Sequence, residues 1–199
     1  MLYRVAVLSL CLTALSAYAG TTPKAAAADY PAHTRLDTLA IGAEYTVHSF
    51  SGDHTTFIAD DYLVVEVALY PDKGECVTVE PNDFSLRING KRQMLAQAPE
   101  FVAPSLQNTD WQQPAPQAED PDHPSPAQAL LRAALPQGEV PNPVSGFLFF
   151  PYHGKTKSIR ELELHYDGPA GKATIPLREA VISRTPERET LVPLRPGLR

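Results

Sequence analysis

The stretch Tyr62-Leu63-Val64-Val65-Glu66-Val67-Ala68-Leu69-Tyr70 decides the fold class. Leu63, Val65, Val67 and Leu69 alternate with Tyr62, Val64, Glu66, Ala68 and Tyr70. Strand side chains point to opposite faces with period two, so the first set forms one apolar stripe, whereas a helical period would scatter it. Asp60-Asp61 before the run and Pro71-Asp72-Lys73-Gly74 after it are turn formers, and they bound a central strand.

Working outward, the segments on both sides repeat this pattern. Glu44 to Phe50 is expected as a strand, Ser51-Gly52-Asp53-His54 as a turn, and Thr55 to Ile58 as a second short strand. Beyond the central strand, Cys76 to Val79 and Phe84 to Ile88 follow, with a break at Pro81-Asn82. Asn89-Gly90 is the most specific local signal. Both central positions of a type I′ turn need positive φ, which Asn tolerates and Gly adopts freely, so a hairpin is expected with its return strand near Arg92 to Leu95. Gly146-Phe147-Leu148-Phe149-Phe150 is apolar at consecutive positions, which suits a strand covered on both faces. Leu162, Leu164 and Tyr166 alternate, and Lys172 to Leu177 closes the series after the turn at Asp167 to Gly171.

Between residues 96 and 143 the composition shifts. Ten of the chain's 20 prolines fall there, and proline lacks the backbone donor that a paired strand needs. The segment reads as a long insert carrying one helix near 126–135, with Ser125 as N-cap, Pro126 at the first helical position, and Leu130, Leu131 and Leu135 on one side.

The two ends read differently. Arg4, the apolar run Val5 to Leu15 and the small-x-small site Ala17-Tyr18-Ala19 predict a signal peptide over 1–19, since the run is shorter than the about 20 residues that span a bilayer. Residues 20–38 are expected as a flexible leader, 39–178 as the β domain, and 179–199 as a polar tail. Loss of the signal removes Arg4 and makes the formal charge more negative than the −6 of the whole chain, which argues against nucleic acid as a partner. Of the two cysteines only Cys76 would remain, so an intrachain disulfide is excluded and a hydrophobic core must hold the fold.

Short strands separated by turn residues point to an all-β, two-layer antiparallel sandwich, with a partly open barrel as the alternative. The succession of Tyr62-Leu63-Val64-Val65-Glu66-Val67, then Glu80-Pro81-Asn82-Asp83-Phe84-Ser85-Leu86, then after an insert Gly146 to Phe150 and Glu161 to Tyr166, resembles the immunoglobulin-like β-sandwich domains of bacterial exported proteins of unknown function. The paired cysteines of antibody-type domains are missing, and Trp111, the only Trp, lies in the insert. The resemblance implies an extracytoplasmic binding or accessory module and brings no catalytic residues with it.

His48, Asp53 and His54, and separately Glu119, Asp120, Asp122 and His123, are metal-ligating residue types, but their spacing matches no ligand motif, so no metal and no cofactor are expected. No Gly-x-Ser-x-Gly elbow or His-Glu-x-x-His pair is present. The candidate binding residues are Trp111 and Phe101 in the insert, as aromatic anchors, and His153, Lys155, Lys157 and Arg160, a basic turn able to receive a carboxylate or sulfate. The leading expectation is an exported, periplasmic or secreted, non-catalytic module that meets an envelope or extracellular protein. The second is an envelope component that assembles by strand-edge pairing. The third is an enzyme of unrecognised type, centred on His153 or on His48 and Asp53.

Overall fold

A computed structural model describes residues 20–52, 55–108 and 125–177. The signal segment, Asp53, His54, Trp111, the 119–123 acidic cluster and the tail lie outside the described residues. The chain is mostly antiparallel β. Two separate four-stranded sheets face each other, and no barrel forms.

The first sheet contains β1 (Ala32–Arg35), β2 (Leu39–Val47), β5 (Tyr62–Pro71) and β10 (Val144–Pro151), in the order β1-β2-β5-β10. The second contains β7 (Phe84–Ile88), β8 (Arg92–Leu95), β11 (Leu162–Gly168) and β12 (Gly171–Pro176), in the order β12-β11-β7-β8. The quoted stretch is the central strand that its pattern predicts. It pairs with β2 on one side and β10 on the other, in a register that sets Val67 against Ala43 and Gly146. Leu63, Val65, Val67 and Leu69 are wholly buried, and they pack with Ile41, Leu148 and Phe150 against Phe84, Leu86, Leu164 and Ile175 of the opposite sheet. The Asn-Gly hairpin forms as expected: Asn89 has φ 50 and Gly90 φ 66, and the Lys91 N–H donates to the Ile88 carbonyl at 3.0 Å.

A third layer covers the other face of the first sheet. Tyr62, Val64, Phe147 and Phe149 point away from the sheet-to-sheet core into a second apolar cluster. Its cover comes from the short helix α1 (Pro99–Val102), the 3₁₀ turn Ala103–Asn108, helix α2 (Pro126–Ala133) and the hairpin of β3 (Ser49–Gly52) and β4 (Thr55–Ile58). Phe50 of β3 stacks on Phe57 at 5.3 Å between ring centres and meets Phe149 edge-on at 5.6 Å. This explains why β10 is apolar at consecutive positions from Phe147 to Phe150: one set of these side chains serves each core. The helix starts where its cap predicts, with the Ser125 hydroxyl accepting from the Gln128 N–H, and ends two residues earlier than expected.

Three expectations are corrected. Residues 20–38 are not a free leader: β1 pairs with β2, a 3₁₀ turn forms at Ala27–Asp29, and Tyr30, 2% exposed, lies over Gly42. The strand expected over 44–50 is broken, because the β2–β5 register shifts between Tyr45 and Val47 and Val47 takes φ 66, which swings β3 out of the first sheet. Leu130, Leu131 and Leu135 do not share a face: Leu130 enters the outer cluster, Leu135 the inter-sheet core, and Leu131 remains 40% exposed. Finally, β6 (Val77–Val79) pairs with β9 (Gly138–Val140), joining the end of the insert to the strand expected at Cys76.

Candidate functional site

The predicted basic turn is the loop between β10 and β11, and a side chain from a different hairpin holds it. The Asn89 side chain accepts from the N–H groups of Arg160 at 2.8 Å and Glu161 at 3.0 Å, and its Nδ2 donates to the Ser158 carbonyl at 3.0 Å. The Asn89 N–H donates to the Glu161 carbonyl at 2.9 Å. Inside the loop, Thr156–Ser158 makes a 3₁₀ turn, and the Lys155 carbonyl accepts from the Ser158 and Tyr152 hydroxyls. The backbone is therefore held on both sides, while Lys155, Lys157 and Arg160 are exposed and form no ion pair among the described residues. His153 differs from them: its Nδ1 lies 3.4 Å from the Asp61 carboxylate, with both groups largely in solvent.

Of the other candidates, Phe101 lies on α1 and is 76% exposed, a large aromatic surface left in water beside Val102 and Leu106, which are buried. The structure thus places Phe101 in the outer layer and the three cations in the loop joining the two sheets. His48 serves the corner at the end of β2: its Nδ1 meets the Tyr62 carbonyl, and its own carbonyl accepts from the Ala59 N–H at 2.7 Å. Among the described residues no three His, Cys, Asp or Glu side chains gather closely enough to hold a metal ion, and no helix is long and apolar enough to cross a membrane.

Sequence reading missed a polar seam on the outer face of the first sheet. Glu66 and Glu44 are cross-strand partners there. Thr21 donates to Glu66 at 3.1 Å, and Lys24 to Glu44 at 2.8 Å while lying 4.5 Å from the centre of the Tyr30 ring. Tyr70 closes the seam by donating to the Lys24 carbonyl at 2.8 Å. The hydrogen bond to Glu44 raises the Lys24 ammonium above its ordinary value, against the pull of burial. Burial raises the Glu66 carboxyl; Glu44 pushes the same way, while the Thr21 hydroxyl and Lys24 oppose. The only sequence signal was Glu66 itself, a charge within an apolar strand.

A carboxyl raised in the folded state favours folding while protonated. That contribution is full below the unfolded value, near 4, and is lost as pH rises through the folded value. Glu66→Gln keeps an acceptor for Thr21 and removes the buried charge. It is expected to melt above the parent at pH 7, with the gap narrowing as pH falls through the raised folded value and closed below about 4. Thermal midpoints taken across pH 3.5 to 8 check this, and a gap that widens in acid would reverse the assignment.

Taken together, these features define a mostly antiparallel β protein of two facing sheets, with a helical outer layer and a rigidly held cationic loop. No family model matches the chain, and no curated protein matches it. Among solved structures it is similar to a putative lipoprotein (ycdA) from Bacillus subtilis subsp. subtilis str. 168, at 18% identity and a TM-score of 0.38. The similarity covers 73% of this chain and 38% of that one, and is too slight to carry an activity across.

Proposed function

We propose that the chain is an exported, non-catalytic binding module. Its scaffold is an immunoglobulin-like sandwich, and its contact surface is built on Lys155, Lys157 and Arg160, with Phe101 as a separate aromatic contact. What supports the export reading is the charged, apolar and small-x-small succession over residues 1–19. What supports the sandwich reading is a pair of four-stranded antiparallel sheets around one core. The observation that carries the binding role is the Asn89 latch. A loop whose backbone is fixed by a neighbouring hairpin, and whose three cations form no ion pair among the described residues, loses little further backbone freedom when an anion arrives. The Arg160 guanidinium offers a two-pronged match to a carboxylate, sulfate or phosphate, with the lysines adding charge.

Assembly through the edge of β10 has less support, because that edge is bridged at Ser145, Phe147 and Phe149 by Thr21, Ala134 and Gln97. The test of the preferred reading is a triple substitution, Lys155→Ala with Lys157→Ala and Arg160→Ala. Its thermal midpoint is expected within about 2 °C of the parent, because exposed unpaired side chains contribute little to stability. Retention on immobilised carboxylate, sulfate or phosphate ligands at low salt is expected to disappear, with the parent eluting as salt screens the contact. Equal retention of the parent and the triple variant would sink the proposal.

A further inference from the structure

We propose that removal of residues 1–19 creates a docked chain start: the α-ammonium of Gly20 seats on the C-terminal end of α2, in a site that reads a free amine on glycine followed by a β-hydroxyl residue. This rests on the export reading, in that Gly20 becomes the first residue only where cleavage falls after Ala19. The Gly20 N–H donates to the Arg132 carbonyl at 2.5 Å. Arg132 stands in the last turn of α2, where carbonyls have no intrahelical amide to accept and the helix dipole presents its negative end. A peptide N–H at this place supplies one donor and no charge. The ammonium left by cleavage supplies three donors and a full positive charge to the same spot.

The next residue is held on two strands. The Thr21 N–H donates to the Ser145 carbonyl at 2.8 Å, pairing the chain start antiparallel to the edge of β10. The Ser145 hydroxyl donates to the Thr21 carbonyl at 2.9 Å and lies 2.7 Å from the Thr21 hydroxyl, which itself donates to Glu66 on β5. Ser145 is 1% exposed, in a strand otherwise made of apolar residues and glycine, and among the described residues its side chain hydrogen-bonds to Thr21 alone. A buried hydroxyl is costly without a partner, so Ser145 is satisfied only when the chain start is in place. Position 20 is fitted to glycine: an added Cβ would stand 2.4 Å from the Ser145 carbonyl oxygen, a backbone atom that cannot swing aside. Clefts of about 140 and 300 Å³ flank this segment, and the larger, lined by Ser51, Gly52 and Arg132, leaves the remaining ammonium donors open to water. Among the described residues, Arg132 of α2 lines the larger cleft and Glu66 of β5 accepts from Thr21, with Glu44 of β2 and Lys24 of the chain start acting on Glu66 in turn.

The test uses a protein whose first residue is Gly20, released from a cleavable tag, and follows acylation of its α-amine by mass spectrometry. The amine is expected to react about tenfold more slowly than that of the free peptide Gly-Thr-Thr-Pro-Lys. Thr21→Val removes the Thr21 hydroxyl's contacts with Glu66 and Ser145, which loosens the seat and should bring the rate towards that of the peptide. A protein with one alanine added before Gly20 keeps the fold and carries its amine outside the seat, so it should react at the peptide rate. A Gly20 amine as reactive as the peptide overturns the docking. The first residue of the exported protein is determined separately; a start other than Gly20 overturns the export reading and the proposal with it, whatever the protection measured on the prepared protein.

Discussion

Gly146→Ala is expected to destabilise the fold by about 3 kcal/mol, one of the larger losses available to a single methyl group here. Gly146 lies on β10, opposite Val67, where the chain leaving α2 crosses the strand. The Leu135 N–H donates to the Phe147 carbonyl at 3.1 Å, and Ala134 bridges Phe147 in parallel. A Cβ on residue 146 would stand 2.5 Å from the backbone nitrogen and Cα of Leu135 and 2.6 Å from the Ala134 carbonyl carbon. These are backbone atoms, so no rotamer change relieves the clash. The crossing must lift, which withdraws Leu135 from the inter-sheet core and strains the outer layer at Ala134. Urea unfolding checks the prediction; a loss under about 1 kcal/mol would show that the crossing is free to shift.

Asn89→Ala is expected to cost about 2 kcal/mol and, unlike most surface changes, to weaken anion binding as well. Two effects add. Alanine at φ 50 pays the left-handed backbone penalty that asparagine partly avoids, and the three side-chain hydrogen bonds to Ser158, Arg160 and Glu161 disappear. Asn89→Gly separates the effects, because glycine accepts the backbone conformation yet still loses the latch. It should recover roughly 1 kcal/mol of stability and none of the binding. If Asn89→Gly binds anionic ligands as the parent does, the loop cations work without being held, and the argument from rigidity fails.

Local pattern read well wherever it reported on a short stretch of chain. Period-two alternation marked β5 and its buried face, because a strand whose two faces meet different neighbours must sort its side chains by parity. Asn89-Gly90 marked its hairpin, and Ser125-Pro126 the start of α2, because turn and cap chemistry is contained within about four residues. The double-sided apolar run at Gly146 to Phe150 even announced a cover on both faces, though not what supplies it.

The misreadings share one cause. Residues 20–35 hold few apolar groups and no strong periodicity, so nothing local shows that Tyr30 packs on Gly42 or that Thr21 completes the hydrogen bonding of Ser145, 124 positions away. Proline content marked a long insert without showing where it packs; Val102, Leu106 and Leu130 bury against Val64 and Phe149, supplying the apolar contact that the outer face of the first sheet requires. The basic loop was visible as charge, but its fixed backbone depends on Asn89, some 70 positions earlier, whose side chain could equally have faced water. The amino-acid sequence by itself determined that this is an antiparallel β protein, with its central strand, its tight hairpin and its capped helix, because those follow from backbone sterics and side-chain parity. Only the tertiary structure decided that the chain start and the insert close the outer layer and that three cations stand on a fixed loop, because those depend on which distant groups find each other once two faces of one sheet must be buried.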